Sequence, residues 1–205
     1  HPRQAYEAAR AFGAFQQLLC DMNPEDIHET IPFFHHTRRR FDHLEKAAAA
    51  DSHGRLNTCR KELDFIRRRE RYVDVLLDLQ ERGELPVRIV HNDTKINNIL
   101  FDKQGEVLCA IDLDTVMNST SLNDFGDAIR SYANTGDEDD RDLSRVGMSL
   151  EMFRAYTEGY LSQRAGQLNQ AEIDHLAFSA RYITFEQVLR FLMDYIDGDT
   201  YYKIK

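Results

Sequence analysis

The 205 residues contain no tryptophan, three cysteines and four prolines, and acids outnumber bases by 35 to 26. Cys20, Cys59 and Cys109 are odd in number and far apart, which excludes a disulfide framework and a CxxC zinc site and fits a reducing, cytoplasmic setting. No apolar run reaches membrane-spanning length and no signal peptide is present, so no membrane partner is expected. The net charge of −9 leaves no dominant basic face, which argues against a nucleic-acid partner. The runs Arg38–Arg40 and Arg67–Arg69 are short, lie among acids, and read as solvated helix faces. His35, His36 and His43 have no spaced acidic or cysteine partner and so suggest no metal site. Beyond Ala47–Ala50 there is no low-complexity tract or repeat. The first residue is His1, which suggests a piece of a longer polypeptide.

What is present suits an ordinary globular core, since 42% of the residues are hydrophobic. A chain of this length buries about 70% of its unfolded surface. Apolar residues at helical spacing predict helices over residues 2–20 and 33–50. A long amphipathic helix is predicted over 56–82, closed by Gly83 and Pro86. Further helices are predicted from Asp124 through Ala133, over 150–163, and over 172–196, the last bent or divided near Thr184. Residues 117–122 read as polar and irregular. The acid-rich stretch 134–145 reads as a solvated loop, with a second metal as the alternative.

The chain is organised around residues 91–115. Val87–Val90 arrives as a short strand, His91–Asn98 forms a polar loop, and 99–101 and 107–111 flank a turn at Asp102-Lys103-Gln104-Gly105. Asp93 and Asn98 then come from the loop, and the hairpin returns Asp112 to the same end of one small sheet. Two carboxylates, an amide and Lys95 suit a hard cation and a phosphate, because Mg²⁺ takes oxygen ligands and shares them with phosphate oxygens.

The order His91-x-Asp93-x-Lys95-x-x-Asn98, followed by Ile111-Asp112, resembles the catalytic and metal-binding segments of kinase-fold enzymes. The second motif reads Ile-Asp-Leu-Asp without the glycine of D-F-G, which resembles the aminoglycoside phosphotransferase and choline kinase branch. The stretches Asn92–Lys95, Ile111–Val116, Asp124–Asp127, Asn134–Asp140 and Arg190–Tyr201 are similar to those of N-acetylhexosamine 1-kinases. The resemblance covers roughly the last 120 residues. It implies an α+β fold: the mostly helical C-terminal lobe of a kinase-like phosphotransferase over 1–205, with a small sheet at the active site. The N-terminal nucleotide lobe is expected to lie outside this chain, since neither a Gly-rich loop nor a V-A-I-K lysine precedes His91.

By that resemblance Asp93 takes the proton of the acceptor hydroxyl, and Lys95 reaches the transferred phosphoryl group. Asn98 and Asp112 hold Mg²⁺ and, through it, ATP. His91 props the loop, and Asp127 anchors it from the following helix or caps that helix. Asp114 is left between the outer metal shell and a sugar hydroxyl. Arg190 and Tyr201 are the implied sugar contacts. The activity implied is phosphorylation of the anomeric 1-hydroxyl of an N-acetylhexosamine. An aminoglycoside or choline kinase and a noncatalytic pseudokinase or binding module are the alternatives. The lack of tryptophan weighs against an aromatic cage for choline.

Overall fold

The structure, a computed structural model, describes residues 1–137 and 140–202. Its elements are α1 (Pro2–Leu18), α2 (Thr37–Ala50), α3 (Arg60–Arg67), α4 (Val75–Glu81), β1 (Arg88–Val90), β2 (Ile99–Phe101), β3 (Val107–Ala110), β4 (Met117–Ser119), α5 (Ser121–Tyr132), α6 (Leu150–Arg164) and α7 (Gln170–Ile196), with single 3₁₀ turns between them. The elements are mostly helices with two short antiparallel sheets, an α+β composition. The packing divides the chain into two compact units, residues 1–32 with 85–181 and residues 33–84 with 182–205.

In the first unit α1 lies against α6. Proline at its first position and the His1 ring accepting from Arg3 N start α1, and Ala5, Ala8, Ala9 and Phe12 form its buried face. The helices approach closely at Gly159, where a Cβ would stand 2.2 Å from the Tyr6 carbonyl oxygen. The expected hairpin forms as β2–β3, pairing Ile99 with Ala110 and Leu100 with Cys109. Gly105 supplies the left-handed residue of its turn (φ 83°), and Asp102 Oδ1 accepts from Gln104 N and Glu106 N. The strand before the loop does not join that hairpin. β1 pairs with β4, Val90 opposite Met117, so the single sheet expected from sequence is two sheets. Only Met117 of Met117-Asn118-Ser119 is buried, and three residues with one apolar anchor carry no readable strand period.

The second unit is built on Phe41, Leu44, Leu63, Ile66, Val73, Phe185, Leu189 and Ile196. The long helix expected over 56–82 is instead a 3₁₀ turn (Leu56–Thr58), α3, a second 3₁₀ turn (Glu70–Tyr72) and α4. Arg69 N donates to Ile66 O, and the Phe65 carbonyl, its α-helical acceptor, takes the Arg69 guanidinium. Arg38 then grips the Asp74 carboxylate in a fork and fixes where α4 starts. Helix α2 starts at Thr37 rather than Phe33, because Phe33 is left-handed (φ 61°) and the His36 ring accepts from Arg39 N. No break occurs at Thr184, since α7 is continuous over 27 residues. It starts in a capping box that periodicity alone did not show. Asn169 Oδ1 accepts from Glu172 N, and Glu172 Oε2 accepts from Asn169 N.

Candidate active site

Strand β1 ends at Val90, and the next eight residues form the polar loop. His91 is fully buried, with its ring edge-on to Phe12 and Phe15. Its Nδ1 accepts from Asp93 N at 3.3 Å, and Nε2 lies 2.9 Å from the Ile111 carbonyl. One ring therefore ties the loop to the end of the β3 segment through both of its nitrogens. Asn92 is left-handed (φ 64°) and donates through Nδ2 to Thr115 O, while Thr115 Oγ1 donates to His91 O. The backbone reversal at Asn92 presents the next residue, Asp93, half-buried.

Asp93, Lys95 and Asn98 come together. Asp93 Oδ2 accepts from Lys95 Nζ at 2.6 Å and from Asn98 Nδ2 at 2.8 Å. The same Asn98 amide donates to Asp93 O at 2.7 Å. The amide nitrogen of this buried side chain is thus committed to Asp93, which leaves Asn98 Oδ1 on the side away from Asp93 as an acceptor. The second carboxylate oxygen, Asp93 Oδ1, accepts nothing from the described residues. Ile111 N donates to Asn98 O at 3.0 Å, and Asp112 is the next residue along the chain. Asp112 is exposed and left-handed (φ 63°). Asp114 is exposed, and its carbonyl accepts from Thr30. The remaining loop amide, Asn97, is exposed as well.

The loop is anchored from α5, and the anchor is Asp124 rather than Asp127. Asp124 Oδ1 accepts from Asn92 N at 2.6 Å, and Oδ2 accepts from His91 N at 3.0 Å and from Gln16 Nε2 at 2.7 Å. Thr94 Oγ1 donates to the Asp124 carbonyl. Asp127 sits a turn further on, where its Oδ1 accepts from Arg130 and its Oδ2 is buried without a hydrogen bond. It does not cap the helix either, since the N-cap is Thr120. Burial pushes the Asp124 carboxyl above its ordinary range; Gln16, His91 and the two backbone N–H groups oppose that rise. Sequence reasoning missed Asp124 and Gln16. The available signal was position, because Asp124 stands in the first turn of α5, where an acid also suits the helix dipole.

The model of the phosphotransferase enzyme family (APH) matches residues 1–161. The chain belongs to that family. Kinases of the family use ATP, generally with Mg²⁺, so the donor set of this phosphotransferase was compared with a hard cation. No group of three or more His, Cys, Asp or Glu among the described residues could hold a metal. An amide oxygen and an exposed carboxylate are nonetheless donors of the chemistry Mg²⁺ takes, since it binds through one or two protein oxygens and completes its shell with phosphate and water. Asn98 and Asp112 would hold it.

The other residues singled out for the phosphotransferase lie in the second unit. Arg190 on α7 holds its guanidinium 5.8 Å from the Tyr201 ring centroid and 5.7 Å from that of Tyr202. Its Nη1 donates to Gln187 Oε1. Arg190 and Tyr201 are therefore neighbours. Asp197 is exposed, Asp199 pairs with Arg55, and the Tyr195 hydroxyl meets Thr58. Within the acid-rich stretch Glu138 and Asp139 lie outside the described residues, and Asp142 Oδ1 is taken by Ser144. No helix among the described residues is long and apolar enough to cross a membrane.

Proposed function

We propose that this phosphotransferase is the catalytic and acceptor-binding lobe of a kinase-like fold, and that it transfers the γ-phosphoryl group of ATP to the anomeric 1-hydroxyl of an N-acetylhexosamine in the cytoplasm. The observation that carries the reading is the asymmetric Asp93 carboxylate. One oxygen is fixed by Lys95 and Asn98, and the other accepts nothing from the described residues. A general base needs this arrangement: an oriented carboxylate with a lone pair left for the acceptor hydroxyl. As the sugar oxygen bonds to phosphorus and the bond to ADP breaks, the hydroxyl proton passes to Asp93 Oδ1. Lys95 offsets charge on the transferring group, and Asn98 and Asp112 hold the cation. When bound, Mg²⁺ neutralises triphosphate oxygens, and the protein's share is positioning. His91 and Asp124 keep the loop in register. Arg190 and Tyr201 are assigned to the sugar by the sequence resemblance, in a pairing of planar donor and exposed ring.

Neither a glycine-rich loop nor a strand lysine precedes His91, and the proposal gives the covering of the triphosphate to a further lobe. The test is ADP release from Mg-ATP by the polypeptide that includes such a lobe, with N-acetylhexosamines, other sugars, choline and aminoglycosides as acceptors. Turnover with N-acetylhexosamines is expected. Turnover with choline or an aminoglycoside alone would replace the acceptor assignment.

A further inference from the structure

Helix α7 ends with a residue of the wrong charge. Asp194 stands in its last turn, where carbonyl groups point onward and the helix dipole disfavours an acid. Its side chain is nonetheless 6% exposed. The compensation comes from the chain beyond the helix. Gly198 (φ 94°) and Asp199 (φ 59°) are both left-handed and fold the chain back. Three successive backbone N–H groups then reach one carboxylate. Asp194 Oδ1 accepts from Thr200 N at 3.0 Å, Thr200 Oγ1 at 3.1 Å and Tyr201 N at 2.7 Å, and Oδ2 accepts from Tyr202 N at 2.9 Å. A Cβ on Gly198 would meet the His53 ring at 2.8 Å, and Arg55 holds Asp199 and the Tyr195 carbonyl, so the return is braced on both sides.

This anchorage presents an unusual side chain. Tyr201 is 72% exposed although its backbone is tied down on the buried carboxylate. Its ring meets Tyr202 edge-on at 4.8 Å, Tyr202 meets Phe191 edge-on at 4.5 Å, and Arg190 stands over both tyrosines. Gln187 joins the group by accepting from Arg190 and donating to the Tyr202 hydroxyl. Presenting an aromatic ring to water from an anchored backbone has no packing benefit, since the apolar face stays in water. It does benefit a ligand with one apolar face and a rim of hydroxyls, because the ring is already ordered when the ligand arrives.

We infer that Asp194 is a positioning residue for the acceptor, setting Tyr201 against Arg190 as a preformed platform for the ring of a sugar. The inference rests on the acceptor role proposed above for Arg190 and Tyr201, and adds the group that orders them. It assigns specificity to a side chain that never touches the substrate.

The test uses the 205-residue chain and its Asp194→Ala and Asp194→Asn variants. Three quantities are followed: calorimetric affinity for N-acetylglucosamine and N-acetylgalactosamine, affinity for Mg-ATP, and hydrogen exchange at amides 200–202. Asp194→Ala removes every acceptor, and sugar affinity is expected to fall by about ten-fold or more, with Mg-ATP affinity unchanged and protection lost at 200–202. Asp194→Asn keeps Oδ1 for Thr200 and Tyr201 and loses only the Tyr202 bond. About a three-fold loss is expected, as for one hydrogen bond. If the alanine variant does not fold, the asparagine variant alone carries the test, and unchanged sugar affinity with protection lost at Tyr202 would overturn the inference. Unchanged sugar affinity in an alanine variant that has lost protection would overturn the inference and leave the acceptor reading intact. Equal losses of sugar and Mg-ATP affinity would overturn it too. A wild-type chain that binds neither sugar while 200–202 stay protected would overturn the acceptor reading itself, and the inference with it.

Discussion

Two aspartates divide the work of the loop at the scale of single residues. Asp93 faces outward with one oxygen uncommitted, whereas Asp124 is buried and spends both oxygens on the loop backbone and Gln16. Asp93→Asn should therefore preserve the fold and lower turnover by about 10²–10⁴-fold, the usual share of general acid–base catalysis. Near wild-type rates would return Asp93 to a structural role. Asp124→Ala leaves His91 N, Asn92 N and the Gln16 amide without their acceptor. Each buried orphan costs about 1–3 kcal/mol, so the thermal midpoint should fall well below that of Asp127→Ala, which removes only a pairing with Arg130. Equal midpoints would contradict the assignment of the anchor. The two residues also mark how far sequence reading reaches. The grouping of His91, Asp93, Lys95 and Asn98 was readable because all four lie within eight residues of one short loop. Choosing between Asp124 and Asp127 needed the distance across to another segment, which no local pattern contains.

Among elements, α7 is the most dependent on ionised side chains. Glu172 closes its capping box, pairs with Arg88 at 2.7 Å through both oxygens, and accepts from Ser121. Burial raises its carboxyl, but Arg88, Ser121 and Asn169 together hold it below the ordinary range. A lowered folded pKa means stability that is present above the unfolded value of about 4.3 and is lost as pH falls through the folded one. Wild type should thus lose midpoint below about pH 4, and Glu172→Gln should be less stable at neutral pH but flatter across that acid range. A parallel acid limb in both proteins would exclude Glu172 as a source. The contact of α1 with α6 has a steric test. Gly159→Ala would put its Cβ within 2.2 Å of a carbonyl oxygen that cannot rotate away, and overpacking of this kind costs about 1–3 kcal/mol or more. The hairpin β2–β3 was legible from its turn residues, and the helices from their apolar period. The interruption between α3 and α4 was not, because it depends on Arg69 capturing the Phe65 carbonyl and Arg38 capturing Asp74.

The whole chain has the oxygen donors and the base proposed above, and no glycine-rich loop before them. The 205 residues alone should fold, show no measurable sugar phosphorylation, and bind Mg-ATP only weakly; in a polypeptide with a nucleotide lobe, Asp112→Ala should weaken magnesium dependence and nucleotide affinity together. Robust phosphorylation by the isolated chain, or an unchanged magnesium titration in the variant, would refute the respective statements. The three scattered cysteines, uninformative as a framework, acquire a use from where the fold puts them. Cys20 and Cys109 are exposed in the first unit, and Cys59 is buried in the core of the second. A thiol reagent in excess should label two sites at once and the third only as fast as the second unit opens. The native protein therefore carries its own clock for the opening of one unit, readable with a thiol reagent and without mutation.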